Sequence, residues 1–176
     1  MTHLEQNKKT MDSPVLRKQM NQAYKKAFKN AIEEHLKQET PEGVAWLCNL
    51  HRELVIRLCT MVKRQDIQDQ IAEACDPIIF KQLVEAKKYN AQELSKFVNY
   101  IYSWLKRFCA PARDDDVESS LQRLNELLQD SKLKLYTVVA EFITEAHGIM
   151  DLMDQDMDHD LVKQFLKTRA KVTLKK

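Results

Sequence analysis

Glycine is scarce in this chain of 176 residues, which contains only Gly43 and Gly148. Folds rich in β-sheet use glycine in many of their turns, so this scarcity favours helices. Long apolar runs are also lacking, because charged residues interrupt even the most apolar segment, residues 133–157, and no run reaches the ~18 residues of a membrane span. The N-terminus is polar and lacks the apolar stretch of a secretory signal peptide.

Cysteine is present, but not in the pairs that metal sites and redox motifs use. The four cysteines are Cys48, Cys59, Cys75 and Cys109, and none of them forms a C-x-x-C pair or has the spacing of a zinc motif. We therefore predict buried thiols in a reducing compartment. The predicted location is the cytoplasm, with the nucleus as the alternative.

The composition is typical of a soluble globular protein, with 44% hydrophobic and 31% charged residues. The length is enough for one domain with a sizeable core. The net charge is only +2, but its distribution is uneven, because residues 161–176 include six basic residues and no acid. Residues 40–160 hold an excess of acids. This distribution predicts a mildly acidic body followed by a basic tail.

Capping residues mark the starts of several helices. Ser13-Pro14, Thr40-Pro41 and Asp76-Pro77 each place a side chain that can cap before a proline at the first helical position. Asn90 and Asp66 are predicted to cap two further helices. The first helix is predicted to run to about residue 38. Its apolar stripe is narrow and rich in alanine, which predicts loose packing on the body: Leu16, Met20, Ala23, Ala27, Ala31 and Ile32.

The apolar pattern predicts an all-α fold, a single-domain bundle of about seven or eight helices. Residues 91–109 and 133–157 carry the broadest apolar faces and are predicted to be the central pair. A short last helix is predicted near 160–172. The predicted organisation is a disordered segment at 1–12, a helical domain at 13–160 and a basic helix or tail at 161–176.

The segment 108–117 is predicted to form a rigid corner between two helices. Pro111 cannot continue the helix before it and disfavours helical geometry at the preceding residue. Asp114 is predicted to cap the next helix, with two more acids in its first turn. Arg113 has two interpretations. It either docks an acidic group of a partner or forms an internal salt bridge that holds the corner.

Candidate catalytic and metal sites were weighed against structural roles. The acidic run Asp154-x-Asp156-x-Asp158-x-Asp160 resembles the opening of a calcium loop, but His159 and Phe165 stand where that loop needs Gly and Glu. Calcium binding is therefore not expected, and no cofactor is predicted. His51 lies on a buried stripe and is predicted to be a core residue. A pair between His147 and Asp151 would need a nucleophile to be catalytic, and none is evident, so we predict no enzyme.

Two further groups of residues are candidate contact sites. Met150, Met153 and Met157 lie at helical spacing and form either a partner groove or ordinary core. The basic tail is either a solvated tail or a contact for nucleic acid or anionic lipid. The tail residues that would make such a contact are Lys163, Lys167, Arg169 and Lys171.

Read as a string, the chain resembles the T-complex protein 11 family over roughly residues 44–165. The resemblance rests on three blocks in the expected order. They are Gln70-Ile71-x-Glu73 followed by Asp76, Ile79 and Gln82; Cys109-Ala110-Pro111-x-Arg113-Asp114 with Val117; and Asp151-Leu152-Met153-x-x-Asp156-Met157. The Cys-Ala-Pro-x-Arg-Asp element is the most specific of them.

The resemblance implies a helical intracellular protein without an assigned catalytic activity. Members of the family are associated with signalling through cyclic AMP and its kinase, and animal members with sperm function. Family members are usually much longer, so this chain is either an N-terminal half or a compact relative. It also departs from the family at Lys88-Tyr89, where small residues are usual.

Two functions follow as expectations. The first is a non-enzymatic interaction module for a protein partner of unknown identity in cyclic AMP and kinase-linked signalling. The alternative is a basic-tailed protein that binds nucleic acid or an anionic membrane surface. A third, weaker option is an enzyme with a metal at residues 151–160. The sequence leaves the oligomeric state open.

Overall fold

The computed structural model describes the backbone of residues 14–174, and the side chains of that range except residues 158–162 and 170–174. The segment 1–12, which the sequence predicts to be disordered, lies outside the described residues.

The described chain folds into seven α-helices and one short 3₁₀ turn, without strands between residues 14 and 174. The all-α prediction is confirmed. The elements are α1 Pro14–Lys37, α2 Pro41–Thr60, α3 Gln65–Ala74, α4 Pro77–Glu85, α5 Ala91–Phe108, the 3₁₀ turn Pro111–Arg113, α6 Asp114–Gln129 and α7 Leu135–Leu174. No helix in this range has the length and hydropathy that a bilayer crossing requires.

Three of the predicted helix caps are present. The Thr40 hydroxyl accepts a hydrogen bond from the Gly43 amide at 3.1 Å. The Asp76 carboxylate accepts one from the Ile78 amide at 2.9 Å, and the Asn90 side chain accepts one from the Glu93 amide at 3.0 Å. Each bond satisfies an amide that the first turn of the helix leaves without a backbone partner.

The predicted cap at Asp66 is wrong. Helix α3 begins at Gln65, and Arg64 occupies the cap position without a side-chain hydrogen bond. Asp66 lies in the first turn of α3, where its carboxylate pairs with the Arg64 guanidinium. A carboxylate at this position is still favourable, because it lies near the positive end of the helix dipole. Ser13 lies outside the described residues.

The hydrophobic core lies between α2, α5 and α7. Helices α5 and α7 supply most of it, as the breadth of their apolar faces predicts. Each fully buried side chain of this size contributes about 1.5–3 kcal/mol. The largest side chains with almost no exposed surface are Tyr102, Phe142, Ile32, Leu54, Leu58, Ile71, Leu94, Ile101, Leu105, Leu124 and Met150.

A chain of polar contacts fixes how α5, α6 and α7 align. The buried Tyr102 hydroxyl lies 2.6 Å from the Ser120 hydroxyl, which donates to the Glu145 carboxylate at 2.8 Å. Because Ser120 donates to Glu145, Tyr102 is the donor to Ser120. Burial raises the pKa of Tyr102, so its hydroxyl keeps its proton for this bond. Arg123 pairs with Glu145 at 2.9 Å and closes the chain of contacts at the surface.

Helix α7 differs from the sequence prediction. The pattern predicted one helix over 133–157 and another over 160–172, but a single helix continues from Leu135 to Leu174. Its 40 residues span about 60 Å. The acidic residues near 151–160 lie where the two predicted helices meet and do not interrupt the observed one. Arginines on other elements pair with several of them, and no proline lies in the segment.

Helix α1 lies antiparallel to α7. Lys29 pairs with Glu141, Lys25 lies near Gly148, and Pro14 lies beside Leu152. Among the predicted stripe residues only Ile32 is buried, which agrees with the loose packing predicted for this helix. The contact with α7 uses a different face of α1, where Phe28 and Ile32 reach the core.

Gly43 permits the close approach of α1 and α2. A Cβ atom at position 43 would lie 2.7 Å from the backbone oxygen of His35, closer than real Cβ contacts allow. A Cβ at Gly148 would meet only the flexible end of Lys25, at 3.3 Å. The two glycines of the chain therefore have opposite roles.

We expect Gly43→Ala to lower the free energy of unfolding by roughly 1–3 kcal/mol, because the turn between α1 and α2 must shift. Gly148→Ala is the matched control and should raise it by about 0.5–1 kcal/mol, as is usual for Gly→Ala inside a helix. Denaturant titration of both variants measures these changes. Equal effects of the two substitutions would contradict the close approach.

Candidate functional site

The corner at Pro111 forms where the sequence places it. Helix α5 ends at Phe108, Pro111 begins the 3₁₀ turn, and α6 starts at Asp114. The predicted cap at Asp114 is wrong, because Asp114 is already helical and Arg113 holds the cap position without a side-chain bond. The 3₁₀ turn leads directly into α6 and leaves no extended residue to cap it. The Asp114 carboxylate instead lies 3.3 Å from the Cys109 thiol, which donates to it.

Arg113 ties this corner to α7. Its Nε lies 2.9 Å from one carboxylate oxygen of Asp156 and its Nη2 3.1 Å from the other. Its Nη1 also lies 3.3 Å from Asp116 on α6. These hydrogen bonds with Asp156 and Asp116 raise the pKa of Arg113. The internal ion pair predicted for Arg113 is thus present, whereas its docking role stays a prediction.

Arg57 makes a second tie, from α2 to α7. Its Nη2 lies 2.5 Å from Asp151 and 3.0 Å from Asp154, and its Nη1 lies 2.8 Å from Nδ1 of His147. A guanidinium only donates hydrogen bonds, so His147 accepts with an unprotonated Nδ1. Burial and the Arg57 charge lower the pKa of His147. The predicted partners His147 and Asp151 therefore meet on one arginine and act as structural groups.

The acidic run of α7 does not converge on one point. Asp154 pairs with Arg57 and Asp156 pairs with Arg113, on separate elements. The backbone is helical here, whereas a calcium loop needs its ligands to wrap around the ion. Among the described side chains, no three of His, Cys, Asp and Glu are grouped to hold a metal. The side chains of Asp158 and Asp160 lie outside the described residues.

The methionines do not form the predicted groove. Met150 and Met153 are buried in the core, and Met157 is 51% exposed. The first two lie on the same face of α7 as Phe142 and Ala146, which faces the other helices. The interpretation as ordinary core is therefore correct for Met150 and Met153, and they are not available to a partner.

His51 is a core residue, as predicted. Its ring lies 4.0 Å from the ring of Phe80 and 4.5 Å from that of Phe97, stacked on both. Its Nδ1 is buried without a hydrogen-bond partner. Burial lowers the pKa of His51 to about 4, so the ring is neutral at physiological pH.

The structure contains an apolar cleft of about 310 Å³ between the α1–α2 turn, the α4–α5 turn and the start of α7. Leu47, Val84 and Val139 are among its lining residues. Glu39 and Lys87 lie at its edge with φ of 44° and 57°, the left-handed conformation that often follows a helix end. The cleft can accept an apolar group, and the polar side chains in its lining are those of Glu39, Lys87, Tyr89 and Tyr136.

The basic residues near the C-terminus lie on the last part of α7. Lys163, Lys167 and Arg169 are exposed, and so are Phe165 and Leu166 between them. The side chain of Lys171 lies outside the described residues. This part of α7 thus presents positive charge beside exposed apolar side chains.

The largest unexpected feature is an uncovered apolar face on α1. Leu16, Met20, Ala23 and Ala27, which we call the outer stripe of α1, follow the apolar pattern of a buried face. Yet Leu16 is only half-buried, and the other three are exposed, Met20 to 53%. The adjacent Tyr24 is 74% exposed. The pattern was visible in the sequence and predicted loose packing, and the structure shows that α7 contacts another face of α1.

Comparison with known families agrees with the predicted resemblance. The model of the T-complex protein 11 family matches residues 2–165. The chain therefore belongs to the T-complex protein 11 family. The match begins well before residue 44, where the sequence resemblance began, and it includes the whole of α1. No solved structure matches the chain at a significant level.

We expect Arg113→Ala to lower the melting temperature, because it leaves Asp156 without its two-pronged partner. Arg113→Lys keeps the charge but not this geometry and should be intermediate. A double-mutant cycle with Asp156→Asn, followed by thermal unfolding, isolates the pair. An unchanged melting temperature together with lost partner binding would favour the docking interpretation instead.

Stability should fall as the pH drops from about 6.5 towards 4. Folded His51 stays neutral over this range, whereas the unfolded chain takes up a proton below about 6.5. His51 alone should lower the free energy of unfolding by about 3 kcal/mol, and this decrease ends near its folded pKa of about 4. The lowered pKa of His147 adds a further decrease in the same direction. Denaturant titrations from pH 4 to 8 measure it. His51→Phe keeps the ring stack and should flatten the profile, and an unchanged profile would contradict this origin.

Proposed function

We propose that this protein is a non-enzymatic helical module that binds a protein partner in signalling linked to cyclic AMP and its kinase. Membership of the T-complex protein 11 family supports the signalling context, through the association of that family with the pathway. The proposed location is the cytoplasm. The four cysteines are all free thiols in the structure, which is consistent with a reducing compartment.

The outer stripe of α1 is the observation that carries the proposal. Exposed apolar side chains are common one at a time, but a row at helical spacing is typical of a contact surface. Met20 and Tyr24 are more than half exposed, and every residue from 21 to 27 is exposed. The first half of α1, residues 14–27, buries little surface and so gains little stability from the body, which is consistent with a partner on this face.

The remainder of the molecule provides a rigid support for such a surface. The polar chain from Tyr102 to Glu145 and the ties of Arg57 and Arg113 to α7 fix the helices relative to one another. A preformed surface loses less conformational freedom on binding than a flexible one, so more of the contact energy appears as affinity.

A second candidate function is contact with an anionic surface through the end of α7. The exposed Lys163 and Lys167 lie one turn apart, and the apolar Phe165 and Leu166 are exposed beside them. Basic and apolar side chains together on one helix are typical of segments that bind anionic membranes. Nucleic acid would be attracted by the same charge.

To test the first function, we expect Leu16→Ser with Met20→Ser to abolish partner binding without unfolding the protein, because Met20 is exposed, Leu16 is only half-buried and neither belongs to the buried core. The matched control is Ile78→Ser with Ile79→Ser on α4, which removes two exposed apolar side chains elsewhere. Quantitative affinity capture from cell extract, followed by titration against purified subunits of the cyclic-AMP-dependent kinase, measures binding.

Deletion of residues 161–176 separates the two functions. Retained protein binding together with lost binding to phosphatidylserine vesicles and to nucleic acid would assign the two activities to different surfaces. Loss of all binding would favour the second function. Turnover of a small molecule by the purified protein would contradict a non-enzymatic module.

A further inference from the structure

We propose that the apolar cleft between α1, α2, α4 and α7 binds a free apolar amino acid of about the size of leucine. The side chain of the ligand occupies the apolar interior, its ammonium group meets Glu39, and its carboxylate meets Lys87. This binding site goes beyond the proposed function and does not depend on it. Three properties of the cleft lead to it: its size and apolar lining, the two charges at its edge, and the helix ends around it.

The interior of the cleft suits one apolar side chain. Its volume is about 310 Å³, at the small end of the range of ligand pockets. An α-helix is about 10–12 Å across, so a cleft of this volume cannot hold one, and the occupant is a small molecule. The aliphatic residues of the lining, most of them only half-buried, leave apolar surface that a ligand can remove from water: Leu36, Val44, Leu47, Val84, Leu135 and Val139.

Two side chains of opposite charge lie at the edge of the cleft. Glu39 follows the end of α1 and Lys87 follows the end of α4, and both are exposed. Within the part of the chain that the structure describes, no ion pair joins the two, and neither side chain has another hydrogen-bond or ion-pair partner. Both charges are therefore available to a ligand in the cleft.

Opposite charges at one edge select a zwitterion over simpler ligands. A fatty acid or another carboxylate that Lys87 attracts meets the like charge of Glu39, and an amine that Glu39 attracts meets the like charge of Lys87. A free amino acid complements both charges and leaves its side chain for the apolar interior. An internal segment of a protein has neither the free ammonium group nor the free carboxylate, so it lacks the groups that this edge selects.

The ends of four helices lie around the cleft. Leu36 and Val84 of the lining belong to the last turns of α1 and α4, whereas Val44 and Leu135 belong to the first turns of α2 and α7. Helix starts carry partial positive charge and helix ends partial negative charge, so backbone charge of both signs surrounds the ligand. Tyr89 adds a hydroxyl to the lining, and because burial raises the pKa of Tyr89, this hydroxyl keeps its proton and can donate to a carboxylate.

The test is isothermal titration calorimetry of the full chain with three small molecules that share one apolar side chain. L-Leucine carries both charges, 3-methylbutylamine keeps only the ammonium group, and 4-methylpentanoate keeps only the carboxylate. We expect leucine to bind at least about fivefold more tightly than either of the others, because each of them loses one charge contact and meets one like charge.

Substitutions at the edge should give a crossed pattern that misfolding cannot produce. Glu39→Gln should weaken the binding of leucine and of the amine but not that of 4-methylpentanoate, whereas Lys87→Gln should weaken the binding of leucine and of the acid but not that of the amine. Glu42→Gln and Lys88→Gln are the matched controls, since both residues are exposed and do not line the cleft. If the amine and the acid bind too weakly to measure, loss of leucine binding in the two edge variants and its retention in the two controls decide the test.

A substitution in the interior tests where the side chain of the ligand lies. Val84→Phe places a ring in the cleft and should abolish leucine binding, while Ile78→Phe at an exposed position of α4 should not. Circular dichroism shows whether each variant is folded. If Val84→Phe is unfolded, Val44→Leu adds a single carbon to the lining and should still weaken the binding of leucine.

Several results would overturn the inference. Absence of leucine binding at millimolar concentration would do so, and so would equal affinities for the three molecules. An unchanged leucine affinity in Glu39→Gln, in Lys87→Gln or in the folded interior variant would place any binding outside the cleft and would also overturn it. None of these results affects the proposed function, because partner capture through α1 is measured separately.

Discussion

The burial of one continuous face of α7 is the constraint on which the rest of the structure depends. Helices α1, α2, α5 and α6 all contact α7, while α3 and α4 pack on α2. The buried face from Val138 to Met153 contributes a large share of the core. Because protein interiors pack as densely as organic crystals, fixing this face fixes the positions of the helices around it. The ion pairs of Arg57 and Arg113 then set the rotation of α7 from two sides.

The titratable groups of the fold are used to join helices. Arg57 holds His147 and Asp151 together, and Arg113 holds Asp156. His51 is enclosed between two phenylalanine rings, and its lowered pKa reflects the exclusion of water. A shifted pKa in this protein is thus explained by packing and pairing inside the scaffold. The exposed side chains of the outer stripe of α1 and of the end of α7 have different properties, since they are apolar and, on α7, lie beside basic residues.

The two ends of the molecule that project from the core differ in chemistry. On α1, the outer stripe consists of small and medium apolar side chains. On α7, Phe165 and Leu166 are larger and lie among Lys163 and Lys167, which suits an anionic surface.

Sequence alone determined the helical class and the central pair of helices, because both depend on a strong apolar period. It also determined the helix starts at Thr40, Asp76 and Asn90 and the corner at Pro111, because these depend on local backbone chemistry. It also identified the family. The tertiary structure alone decided which face of α1 meets α7, that α7 continues through its acidic segment, and that Met150 and Met153 are core residues. The physical reason is that an apolar stripe is the same pattern whether it faces a core or solvent, and that the arginines that pair with the acidic run of α7 come from elements far away in the sequence.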